Sequence, residues 1–116
     1  MNKVLNNDFF IISTGAVPAA IFRSQMDQIF IVNIFGCFLL GFINSLTISR
    51  KYKLLLCFGF CGSLTTFSGW SFQLFNLINQ GFYKLFFLNS ILIVLLGLFA
   101  CALGHFFAKK INNLVQ

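Results

Sequence analysis

The residues able to do chemistry in this chain are uncharged, and they crowd into one apolar stretch. Between Gly59 and Gln73 lie three glycines (Gly59, Gly62, Gly69), three serines (Ser63, Ser68, Ser71) and the adjacent pair Thr65 and Thr66. A plain lipid anchor would carry leucine there. Glycine and β-branched threonine weaken a helix locally, and a break frees backbone carbonyls. Irregular backbone at membrane depth is tolerated only where it is buried in protein or lines a cavity, and broken helices are a recurring device for binding ions. Hydroxyls bonding back onto their own helix account for one or two such residues, not for the cluster. Phe67 and Trp70 are three apart and share a helical face. Aromatic rings carry positive potential at their edges, so two rings presented edge-on would hold an anion without a formal charge. In a chain with 18 Phe, lipid contact or packing is the competing use of any such pair. Asn33, in Val32-Asn33-Ile34-Phe35-Gly36, has two readings: an interhelical hydrogen bond, or an amide donor lining a path.

These groups need apolar elements to hold them, and the composition supplies little else. Of 116 residues, 59% are hydrophobic and 9% charged, with only 2 acids; the mean hydropathy is +0.91. Soluble domains run to about 25% charged, and a chain this short has too little interior to hide so much apolar surface. Soluble enzymes, disordered tails and disulfide or zinc mini-domains are thereby excluded, which leaves an all-α membrane protein. Four apolar spans are predicted, at 5–22, 29–48, 54–78 and 85–107, forming one transmembrane domain over 1–116. A bilayer core about 30 Å thick takes about 20 helical residues. The first span is marginal, interrupted by Asn6, Asn7 and Asp8, and reads as a helix rather than a cleaved leader. The connectors are too short to hold a domain, so any chemistry lies within the helices.

The net charge of +6 does not point to nucleic acid, because the cations flank the apolar runs instead of forming a stripe. With four spans, Lys3, Arg50, Lys51, Lys53, Lys109 and Lys110 fall on one side, and Arg23 and Lys84 on the other. The positive-inside rule then places both termini in the cytoplasm. Cys37, Cys57, Cys61 and Cys101 lack metal or redox spacing and read as buried free thiols. His105 has no second histidine or acid to complete a catalytic pair. Gly97, Cys101 and Gly104 suit close helix packing, and Pro18 would kink the first span. Arg23 would snorkel to the headgroups.

The stretch Gly59-Phe60-Cys61-Gly62-Ser63-Leu64-Thr65-Thr66-Phe67-Ser68 resembles the third-helix signature of the Fluc (CrcB-type) fluoride channels. Val32-Asn33-Ile34-Phe35-Gly36-Cys37-Phe38-Leu39-Leu40-Gly41 resembles that family's Asn-containing second-helix motif, and Gly15-Ala16 followed by Arg23 matches its first helix more loosely. The resemblance implies a four-helix chain broken in the third helix, an antiparallel dimer with two narrow pores, and a structural sodium ion held by the Gly62 and Thr65 carbonyls of two chains. It implies pore roles for Asn33 and Phe67, with Trp70, Thr66 and Ser68 beside them and Arg23 at the mouth. Three positions depart from the family pattern. The second ring is Trp70, the acid usual three residues later is Gln73, and the polar track of the fourth helix is reduced to Asn89 and Ser90.

The implied activity is passive efflux of cytoplasmic fluoride, without enzyme chemistry, in the cell membrane (the inner one where there are two). Asn amides and Ser/Thr hydroxyls donate hydrogen bonds that would replace the ion's water. The absence of mid-span Lys or Arg suits a path that must also let the ion leave. Six cations against two favour a single orientation, so a heterodimer with an oppositely biased paralogue stands beside the homodimer. The rival classes are a small proton-coupled multidrug exporter, disfavoured by the lack of a mid-span carboxylate, and a non-conducting partner subunit.

Overall fold

The computed structural model describes residues 2–115, with side chains from Asn6 to Leu114; the Lys3 side chain, counted in the charge balance, lies outside the described residues. The described chain is helical throughout, without strands. Helix α1 spans Asn2–Ser24 and α2 Ile29–Ser45. Helix α3 covers 50–64 and changes character along its length: an α turn (Arg50–Lys53), a π-helical stretch (Leu54–Cys61) and a second α turn (Gly62–Leu64). After two extended residues, α4 runs over Phe67–Asn79 and α5 over Tyr83–Val115.

The surface is that of a membrane protein. Phe9, Phe58, Phe72, Phe87, Leu98 and Phe106 are all exposed, while no polar or charged residue is buried among those described. An exterior this apolar belongs against lipid. By length and composition, 50–79 and 83–114 are long and apolar enough to cross a bilayer, and α2 is a shorter apolar helix of 17 residues.

Helices approach closely where glycine removes the side chain. A Cβ on Gly15 would overlap the Leu55 carbonyl oxygen, and one on Gly59 would press on the Ile12 carbonyl; these two seat α1 on the π-helical stretch. Between α2 and α5, a Cβ on Gly41 would strike the Cys101 carbonyl and one on Gly104 the Phe38 carbonyl. Gly97, Ala100, Gly104 and Ala108 are buried along that same α5 face. Small residues let backbones touch where dispersion, not water exclusion, drives association.

The helices depart from the expected spans at several ends, the last one running over Tyr83–Val115 instead of 85–107, and three features of these ends have a visible basis. Asn6, Asn7 and Asp8 do not interrupt α1, and the Asp8 carboxylate accepts a hydrogen bond from Arg50 Nη2 at 2.6 Å. Helix α2 stops at Ser45 instead of 48, because Lys53 Nζ donates to the Asn44 carbonyl at 2.9 Å and Asn112 Nδ2 to the Ser45 carbonyl at 2.9 Å. Side chains thus take up carbonyls left open at a helix end. Helix α4 ends in a Schellman turn: Gly81 adopts φ 78°, its N–H donates to the Ile78 carbonyl, and the Phe82 N–H reaches the Leu77 carbonyl.

Gly41→Val is expected to destabilise the α2–α5 pair by about 1–3 kcal/mol, the usual cost of overpacking. Gly97→Ala, where a Cβ meets only the Cys37 sulfur at 3.4 Å, is expected to be nearly neutral. Thermal melting of the purified protein in detergent checks both.

Candidate functional site

The interruption between α3 and α4 organises the polar residues. Thr65 (φ −77°, ψ 147°) and Thr66 (φ −141°, ψ 116°) are extended, so the helical hydrogen-bond ladder stops there. Asn33 on α2 fills the gap. Its Oδ1 accepts from the Thr66 N–H at 2.8 Å, and its Nδ2 donates to the Thr66 carbonyl at 3.2 Å. One carboxamide therefore grips both polar groups of one peptide residue, much as a neighbouring strand would. Thr66 also caps α4, its Oγ1 accepting from the Gly69 N–H at 3.1 Å and lying 3.2 Å from Ser68 Oγ. Leu64, fully buried against Ala19 and Val32, anchors the approach to the break. Gly36 leaves room for the Thr65 methyl group, which a Cβ there would overlap.

Two cavities flank Thr66. One, of about 330 Å³, is lined by Asn33, Gly62, Thr65, Thr66, Phe67 and Trp70, with Ile93 and Val94 of α5 across from them. The other, of about 270 Å³, brings Arg23 to Thr66 and Ser68 at the N-terminus of α4. All eight residues singled out in the sequence therefore converge on the break, six in the first cavity and two joining Thr66 in the second. Phe67 and Trp70 pack edge-to-face, with ring centroids 5.4 Å apart and planes at 65°. One ring edge is thereby turned onto the other ring, whereas Phe67 as a residue is 76% exposed.

The model of the family described as CrcB-like protein, Camphor Resistance (CrcB), matches residues 10–105. The chain belongs to the CrcB family. It is similar to a Prochlorococcus marinus (strain NATL2A) protein named Fluoride-specific ion channel FluC 1, with 62% identity over 109 residues, 94% of this chain and 96% of the relative. A Synechococcus sp. (strain CC9605) relative named Fluoride-specific ion channel FluC 2 is 36% identical over 110 residues, covering 90% of this chain and 83% of its own length. A third, from Prochlorococcus marinus (strain MIT 9515) and named Fluoride-specific ion channel FluC, is 35% identical over 113 residues, 97% and 100% of the two chains.

In this CrcB chain the break also determines which carbonyls are free. A continuous helix would pair the Thr66 N–H with the Gly62 carbonyl and the Gly69 N–H with the Thr65 carbonyl. Here the first N–H goes to Asn33 and the second to Thr66 Oγ1. Gly62 and Thr65 are thus among the residues whose carbonyls lose their helical donors, with Ser63 and Leu64 between them. Hard oxygen donors fit a hard cation, and no cluster of three His, Cys, Asp or Glu exists among the described residues to hold a softer one. Several features were invisible to sequence reasoning: the π-helical stretch, the Gly36 seat and the apolar wall from Ile93 and Val94. Ser90, expected on a polar track, donates to the Phe86 carbonyl of its own helix at 2.8 Å.

Asn33→Leu leaves the part-buried Thr66 N–H and carbonyl without their partner and is expected to cost about 1–3 kcal/mol. Ser90→Ala, which removes a hydroxyl bonded only within α5, is expected to cost less. Unfolding titrations in mixed micelles compare the two.

Proposed function

We propose that this chain forms a fluoride-selective channel that lets cytoplasmic fluoride leave the cell passively, with four helical spans crossing the cell membrane: α1, α2, the broken α3–α4 unit and α5. The observation that carries this reading is the convergence of Asn33, Thr66, Ser68, Phe67 and Trp70 on the break in a chain 62% identical to a protein named as a fluoride-specific channel. Asn33 has a second N–H on Nδ2 beyond the one given to Thr66, and the exposed Phe67 ring offers positive edge potential. The N-terminus of α4 adds the positive end of a 13-residue helix dipole. Together these replace water around the ion without a fixed charge at the centre, and Arg23 draws anions to the entrance. A cytoplasm-negative potential drives the anion out with about 2.3 kcal/mol per charge per 100 mV, so the chain needs neither enzyme chemistry nor a pump.

Among the carbonyls freed at the break are those of Gly62 and Thr65, so a second chain in antiparallel arrangement would complete a four-oxygen set for a structural sodium ion. When bound, sodium supplies a positive charge that neutralises the carbonyl ends of both breaks. A coupled exporter is not supported: Asp8 is paired with Arg50, and Asp27 lies in the α1–α2 connector.

The charge balance favours a partner that differs from this chain. Six cations on the terminal side against two opposite resist the dual insertion that an antiparallel homodimer requires, and relatives bear the paired names FluC 1 and FluC 2. Expressed alone, the chain is expected to show one orientation of its termini and little flux, with flux restored by an oppositely biased relative. One orientation with full flux and no copurifying partner would contradict the pairing.

Correctly assembled protein in vesicles is expected to release fluoride and retain chloride. Phe67→Ile and Asn33→Ala are each expected to lower the fluoride flux at least tenfold, measured with an ion-selective electrode. Vesicles that stay impermeable to fluoride with every required chain present would contradict the channel.

A further inference from the structure

Three cations stand within the first turn of α3, and two of them are already engaged. Arg50 Nη2 donates to the Asp8 carboxylate, and Lys53 Nζ donates to the Asn44 carbonyl. Lys51, between them, is exposed and has no side-chain hydrogen bond or ion pair among the described residues. It lines a cavity of about 460 Å³ between α1 and α3. The two helices run side by side in the same direction: Asp8 meets Arg50 near their starts, and Gly15 meets the Leu55 carbonyl further in. The cavity lies between these levels and is closed at its deep end, where the backbones touch. Its lining changes character with depth. Asn7, Lys51 and Tyr52 stand at the outer level. One helical turn deeper, about 6 Å at 1.5 Å per residue, the lining is Ile11 and Leu55, with the exposed Phe10 ring beside them. Thr14, below these, already donates its hydroxyl to the Ile11 carbonyl at 2.7 Å.

We propose that this groove is a binding site for one anionic phospholipid, a proposal that rests on the membrane placement of the spans above and not on which ion the chain conducts. The phosphodiester oxygens accept from Lys51 Nζ, with the Asn7 amide and the Tyr52 hydroxyl as further donors at the same level. The start of an acyl chain then passes over Ile11, Leu55 and Phe10 and continues along the apolar outer face of α1. Charge complementarity selects the headgroup. The Asp8 charge is taken up by Arg50, so the mouth of the groove is left with the field of Lys51 and Lys53. Basic pockets between spans suit anionic headgroups for this reason. A zwitterionic headgroup would bring its own ammonium beside Lys51. A free anion such as inorganic phosphate would use the outer level alone and leave the apolar turn beneath it uncovered, whereas an amphiphile matches both levels at once.

Native mass spectrometry of the full chain in detergent micelles, titrated with phosphatidylglycerol or phosphatidylcholine of the same chain length, counts the lipids retained. The first phosphatidylglycerol is expected to bind more tightly than the first phosphatidylcholine, and added inorganic phosphate is expected not to displace it. Lys51→Gln, an exposed substitution that leaves the fold intact, is expected to lower that preference about fivefold. Lys109→Gln removes an equal charge from α5, away from the groove, and is expected to leave the preference as it is. The site is overturned by equal retention of the two lipids, by a Lys51→Gln preference equal to wild type, by an equal loss in Lys109→Gln, or by displacement with inorganic phosphate. Because the readout is lipid retention, its failure is separate from that of the channel: protein that conducts fluoride without preferring phosphatidylglycerol overturns the lipid site alone, and protein that shows the preference but does not conduct overturns the channel alone.

Discussion

The two hydrogen bonds between the Asn33 carboxamide and the Thr66 backbone are the interaction on which the site depends. A peptide unit that leaves a helix inside an apolar protein has to find new partners, because an unpaired N–H or carbonyl is costly there. Asn33 supplies a donor and an acceptor from a neighbouring helix, so the extended conformation of Thr66 loses no hydrogen bond. Everything around it follows from that substitution. Gly36 makes room for the Thr65 methyl, Leu64 locks the preceding turn into the buried contact with Ala19 and Val32, and Thr66 turns its hydroxyl to cap the helix that restarts.

A break of this kind produces two opposite ends at one place. Helix α3 arrives with carbonyls whose donors have been diverted, and α4 departs with its N–H groups and positive dipole end exposed. In the proposed channel these two ends would offer a hard cation oxygen atoms on one side and an anion N–H groups on the other, using peptide dipoles where a soluble protein would use charged side chains. Uncharged groups suit a path through lipid. They hold an ion less tightly than a buried lysine would, and they avoid the cost of placing a fixed charge at membrane depth.

Much of this was readable from residue types. A run of Gly, Ser and Thr inside an apolar segment contradicts the need for a stable lipid-spanning helix, so the location of the interruption was visible before any geometry. Small residues on the last helix likewise announced close packing there, whereas its partner, α2, came only from the structure. What could not be read was pairing. Asn33 was open between interhelical bonding and lining a path, and the geometry gives it the first role with one N–H left for the second. Nothing in Leu54–Cys61 announces a π-helical stretch, although it lies where Gly59 and Gly15 bring two backbones together. The end of α2 at Ser45 was hidden for the same reason, because Asn112, which takes the Ser45 carbonyl, is 67 residues away.

The most direct measurement is the carbon chemical shifts of Thr65 and Thr66 in protein reconstituted into lipid bilayers and observed by solid-state NMR. Extended backbone lowers the Cα shift and raises the Cβ shift relative to a helix, and both threonines are expected to show that signature between helical neighbours on either side. Helical shifts at both threonines, marking an uninterrupted helix from 50 to 79, would contradict the break and with it the origin of the freed carbonyls, the capped restart and the anion path.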